Sequence, residues 1–150
     1  MLRRHRLVEL FLVKVLGLDW SEVHDEAERL EHVLSERVVE RIDEMLGFPT
    51  ADPHGDPIPG PRGLLPEEST EELPSLLVCP LGTPLRVVRI TDQSPAFLRL
   101  AEAHGLVPGR SVVVTERDET ADTVALETDG STSSRLGSRA ASKVLVAVET

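Results

Sequence analysis

Disulfide chemistry is excluded at once, because the chain of 150 residues carries a single cysteine, Cys79. One thiol cannot close an intramolecular bridge, and such sparing use of cysteine suits a reducing compartment. Aromatic residues are nearly as scarce, at 3%, so the core must be built mainly from Leu and Val. Cys79 follows Leu76, Leu77 and Val78 and is expected to be a buried structural thiol. No uninterrupted apolar run is long enough to span a bilayer. The opening MLRRHRLVELFLVKVLGL superficially imitates a signal peptide, but Glu9 and Lys14 break it and no small-residue cleavage site follows. A cytoplasmic protein without membrane partners is expected. Positive charge is also short: the formal net charge is −10, which argues against indiscriminate nucleic-acid affinity. The RRHR cluster is the one dense basic patch.

Leu2 to Leu16 reads as a helix, with so many apolar positions that it must contact neighbours on more than one side. Its polar strip holds His5 and Glu9, one turn apart. Gly17 ends this helix and Asp19 caps a second one, which reaches about Leu34. A third begins at Ser35 and is stopped by Gly47 and Pro49.

The second helix carries HDEAERLEH, His24 to His32, with two histidines and four carboxylates in nine residues. At about 100° per residue, His24, Glu28, Glu31 and His32 form one stripe roughly 100° wide. Val23, Ala27, Leu30 and Leu34 form an adjacent apolar stripe. A His/Glu stripe bordering a core-facing stripe is where a metal would be held by packed ligands with water partly excluded. A solvated charged face has the same local pattern, and the local residues leave both readings open.

Pro49 to Pro74 is rich in Pro, Gly and acid and reads as a linker, with His54 as a turn residue. Beyond it, Pro84–Ile90, Arg110–Arg117, Thr123–Thr128 and Lys143–Glu149 are β-branched runs of strand length, with turns at Gly105–Gly109 and Thr128–Ser131. One short helix, about Pro95 to His104, interrupts them. The expected fold class is α+β: an all-α domain over 1–48, a linker over 49–74 and a small barrel-like β-domain over 75–150. Neither a phosphate-binding glycine loop nor a nucleophile elbow is present. A di-metal enzyme would use paired Glu-x-x-His helices, whereas this chain has Glu28–x–x–Glu31–His32.

HRLVEL (residues 5–10), LGLDWSEVHDEAERLEHVLSERVVERI (16–42) and PHGDPIPG (53–60) resemble the diphtheria-toxin-repressor family of metal-dependent regulators. The tail, chiefly HGLVPGRSVVV (104–114), is similar to the SH3-like domain that many members share with the ferrous-transport accessory fold. The resemblance implies a non-enzymatic homodimer with two neighbouring divalent-metal sites. By position, His5, Glu9 and His24 correspond to one, which Asp92 or Gln93 would complete from the SH3-like domain. Glu28, Glu31 and His32 correspond to the other. Glu28 stands where the iron branch has cysteine; a carboxylate is the harder donor and suits Mn(II), whereas His24 looks like the iron branch. Mn(II) or Fe(II) is therefore expected. Leu7, Leu10, Phe11, Leu34, Val38 and Ile42 are expected in the helical core or dimer interface. The family's winged helix-turn-helix has no counterpart in these residues, so DNA would be reached only through such a unit absent from this chain. A stand-alone adaptor, or a subunit that poisons full-length partners, is the alternative.

Overall fold

The computed structural model describes residues 2–60, 72–128 and 132–149. It divides into two units, Met1–Glu71 and Glu72–Thr150.

The first unit is helical. α1 (Leu2–Lys14) buries Leu7, Val8, Glu9, Leu10 and Leu12. Gly17, at φ 71°, turns the chain after it, a conformation costly for residues with a Cβ. α2 (Val23–Glu31) starts later than the sequence suggests. Asp19 does not cap it; its Oδ1 accepts from the Ser21 backbone N at 2.9 Å and from Ser21 Oγ at 2.7 Å, so residues 19–22 form a separate turn. α2 ends at Glu31 with His32 in the capping position. α3 (Glu36–Met45) is capped as expected, Ser35 Oγ accepting from Val38 N at 3.3 Å, a bond typically contributing about 1 kcal/mol.

Two apolar clusters hold these helices. Val8, Leu12, Val23 and Ala27 join α1 to α2, with Phe11, Leu30 and Leu34 packed alongside. Leu7, Leu10, Val39 and Ile58 form the second, with Leu34 and Leu46 against it. Val38 is 43% exposed and is no part of either, so the expected core-or-interface set is divided within one chain. Arginines brace the same packing. Arg3 pairs with Asp43 at 2.7 Å, Arg4 donates to the Glu31 carbonyl at 2.9 Å, and Arg6 donates to the Pro57 carbonyl. The basic cluster at the start of α1 thus works internally.

Ile58 marks a departure from the linker expectation. Residues 50–58 fold back on themselves: Ile58 N donates to Thr50 O at 2.8 Å and Asp52 N to Asp56 O at 2.9 Å. Asp52 Oδ1 accepts from His54 N at 2.9 Å and Asp56 N at 3.0 Å, and Gly55 takes φ 86°. Ile58 is buried, at 5% exposure, and His54 at 1%. The segment is a docked hook, because one apolar anchor and a closed set of turn bonds offset its lack of regular structure. Residues 61–71 of the expected linker lie outside the described residues.

The second unit is an antiparallel five-stranded sheet in the order β4-β3-β2-β1-β5, an SH3-like domain. Its strands are β1 (Leu85–Ile90), β2 (Ser111–Asp118), β3 (Thr123–Thr128), β4 (Thr132–Gly137) and β5 (Val144–Val148), with α4 (Pro95–Ala103) after β1 and α5 (Ser138–Ala141) before β5. β4 and α5 are missed from sequence. TSSRLG has no β-branched apolar run, and α5 is a single turn. The expected turn at Thr128–Ser131 falls largely outside the described residues. Cys79 is buried as expected; burial pushes its thiol pKa up against the opposing Arg117 charge, and Arg117 donates to the Leu76 carbonyl at 3.0 Å. Among the described residues, no helix is long and apolar enough to cross a membrane.

Candidate metal centre

Helical spacing on α1 places His5 and Glu9 one above the other, and the α1–α2 packing brings His24 to them. His5 Nε2 lies 3.1 Å from His24 Nδ1 and 3.5 Å from Glu9 Oε1. His24 Nδ1 lies 3.8 Å from Glu9 Oε2. Two donors each about 2.1–2.2 Å from a shared ion stand roughly 3.0–3.8 Å apart for angles between about 90° and 120°. The separations of the triad approach this range, with one ligand atom from each residue within 4.8 Å of the others. Glu9 is the buried base of the pocket and His24, 57% exposed, its mouth.

Glu31 connects this triad to the end of α2. Its Oε2 is 3.2 Å from His5 Nδ1 and its Oε1 is 3.7 Å from His32 Nε2. His5 and His32 therefore flank one carboxylate. Glu28 is exposed, and among the described residues neither it, Glu31 nor His32 belongs to a group of three converging donors. The second expected triad is only partly assembled: α2 has already ended at Glu31, and Glu28 sits on the solvent edge of the stripe.

Within its own unit, Asp92 is paired. Lys143 Nζ lies 2.6 Å from its Oδ2 and Ser94 N donates to its Oδ1 at 3.0 Å. Lys143 first, then Ser94, hold its carboxyl below the usual range.

Two residues unmarked by sequence reasoning complete the surroundings. The hook at 50–58 delivers Asp52 and His54 to Glu9. His54 Nδ1 is 3.8 Å from Glu9 Oε2 and 3.9 Å from Asp52 Oδ2, and Glu9, Asp52 and His54 form a second group of converging donors. The Trp20 ring stacks on His54 with centroids 5.7 Å apart, and the Trp20 carbonyl lies 2.8 Å from its Nε2. The only local signal was a histidine inside the quoted PHGDPIPG, and burial of a turn residue is not written in its neighbours.

The electrostatics favour positive charge throughout. The Glu9 carboxylate is the main cause raising the His5 pKa, against the opposing effect of burial and with help from Glu31. For His54, burial pushes down, but Asp52, the Trp20 carbonyl and Glu9 outweigh it and the net shift is upward. Glu9 Oε2, Asp52 Oδ2 and His54 Nδ1 are buried without a hydrogen-bond partner. Buried acceptors left unsatisfied cost free energy, and a bound cation would satisfy them.

Residues 1–60 match the model of the iron dependent repressor metal binding and dimerisation domain, and residues 75–148 match the FeoA domain. The Iron-dependent repressor IdeR of Mycobacterium tuberculosis is 42% identical over 123 residues, covering 75% of this chain and 53% of that protein. The Diphtheria toxin repressor of Corynebacterium diphtheriae is 35% identical over 125 residues, 78% of this chain and 55% of that protein. The chain thus spans about half the length of these curated relatives. A solved manganese-dependent transcriptional repressor in complex with manganese superposes with TM-score 0.86 at 43% identity, over 99% of this chain and 69% of that one. On these matches, the chain belongs to the diphtheria toxin repressor family of metal-dependent transcriptional regulators.

Proposed function

We propose that this chain is the metal-sensing and dimerising portion of an Mn(II)- or Fe(II)-dependent transcriptional repressor, acting as a homodimer. The observation that carries the reading is the convergence of His5, Glu9 and His24, whose donor atoms lie within 4.8 Å of one another, around a buried carboxylate oxygen with no partner of its own. Glu31 and His32, with Glu28 on the same stripe, would contribute the second ion's ligands. An all-nitrogen-and-oxygen donor set favours Mn(II) slightly over Fe(II), although raw affinity rises along the divalent series whatever the biological choice. Contact with an operator would come from a DNA-reading unit outside residues 1–150. Metal binding would act by favouring one arrangement of the dimer, through tighter binding to that state than to others.

The histidines must be neutral to coordinate, so protons compete with metal. Because Glu9 raises the His5 pKa, this competition extends above the ordinary histidine range. Mn(II) affinity should fall about tenfold or more between about pH 8 and pH 6. The metal-free protein should show the opposite slope, since a raised histidine pKa contributes stability that is full below its unfolded value and is lost as pH rises through the folded one. Calorimetric titration at both pH values tests this, and a flat affinity would contradict coordination by these imidazoles.

Dimerisation is supported by apolar side chains left outward on α3, Val38 at 43% and Met45 at 67% exposure, beside a shallow concavity lined by Arg37, Val38, Arg41, Ile42, Glu44 and Met45. Changing both Val38→Glu and Met45→Glu should convert a dimer to a monomer in sedimentation at micromolar concentration. A dimer that survives both charges would move the interface elsewhere.

A further inference from the structure

Beside Glu9, three buried polar atoms meet: Glu9 Oε2, Asp52 Oδ2 and His54 Nδ1. The Trp20 carbonyl can only accept, so His54 Nε2, 2.8 Å away, must carry a proton. A neutral His54 then presents its Nδ1 lone pair to Glu9 Oε2 at 3.8 Å and Asp52 Oδ2 at 3.9 Å. All three atoms are buried and without a hydrogen-bond partner. The site is built rather than accidental. Asp52 Oδ1 is held by two backbone N–H groups, which aims Oδ2 inward, and the stacked Trp20 ring fixes the imidazole plane. Three electron-rich atoms brought together out of water repel one another unless something positive lies between them.

We propose that Glu9, Asp52 and His54 form a buried divalent-cation site of their own, adjoining the His5–Glu9–His24 pocket and joined to it by Glu9 as a bridging carboxylate. The imidazole donor favours a first-row transition ion over Ca(II) or Mg(II), which take oxygen ligands. The separations of 3.8 and 3.9 Å sit at the open end of the range for ligands sharing one ion. The inference goes beyond the metal-sensing role proposed above and shares only Glu9 with it.

The test is Mn(II) stoichiometry of the full chain, read by electron paramagnetic resonance of the free ion, for wild type, Asp52→Asn and His24→Ala. The amide introduced by Asp52→Asn would offer His54 Nδ1 an N–H donor in place of a carboxylate. Asp52→Asn should bind one ion fewer than wild type and retain the ion at His5 and His24; His24→Ala should lose or weaken that outer ion and retain the inner one. Unchanged stoichiometry and affinity in Asp52→Asn would overturn the inner site, leaving His54 Nδ1 to carry a proton instead. An unchanged His24→Ala would sink the outer pocket while leaving the inner one standing. Should Asp52→Asn fail to fold by circular dichroism, wild type alone decides. In nitrogen-15 spectra of the Zn(II)-saturated chain, His54 Nδ1 should be unprotonated and metal-shifted. Both ring nitrogens protonated at saturating Zn(II) would refute the site.

Discussion

Replacing Glu9 by Gln should lower divalent-metal affinity by about a hundredfold or more, since even outer-shell partners of metal ligands are typically worth about 10–100-fold. Glu9 lies 3.5 Å from His5, 3.8 Å from His24 and 3.8 Å from His54, and it is 1% exposed. No other carboxylate of the described residues stands in both groups of converging donors. The same substitution should leave the metal-free protein folded, with a melting temperature at pH 8 equal to or above that of wild type. Glu9 Oε2 is buried without a hydrogen-bond partner, and the Gln amide offers a donor to the imidazoles around it. Loss of metal affinity with retained stability distinguishes a ligand from a core residue. A variant that keeps its Mn(II) affinity, or one that simply unfolds, would remove Glu9 from the centre of the site.

Ile58→Ala should destabilise the helical unit by about 2–4 kcal/mol, the usual cost of emptying a buried aliphatic site. For a unit of this size that corresponds to a melting-temperature loss of roughly 10–20 °C or more. Ile58 is 5% exposed and packs with Leu7, Leu10 and Val39. It is the apolar anchor of the hook that carries Asp52 and His54, so metal affinity should fall with stability. A residue in a free tether would change neither quantity. Thermal unfolding monitored by circular dichroism, in the presence and absence of Mn(II), separates the two cases.

The helices and most strands were legible because their signals are local. Ser35 followed by a periodic apolar pattern announces α3, and the β-branched runs announce β1, β2, β3 and β5. β4 escaped because a strand of polar residues owes its conformation to pairing with β3, a partner its own composition does not name. The start of α2 was misplaced because Asp19 makes an equally good turn with Ser21. Val38 was grouped with Leu7 and Ile42 because all three are apolar. Which of them faces the chain's own core depends on the crossing of α1 and α3.

Residue order was enough to set the donor chemistry of the helical unit. His5 and Glu9 one turn apart, and His24 and Glu31 on one stripe of the next helix, follow from backbone geometry repeated every few residues. Packing in three dimensions was needed to dock a proline-rich segment, to bring Asp52 and His54 to Glu9 from some forty residues away along the chain, and to leave Glu28 in water. Burial is a collective property of packed surfaces, so no residue's neighbours in sequence specify it.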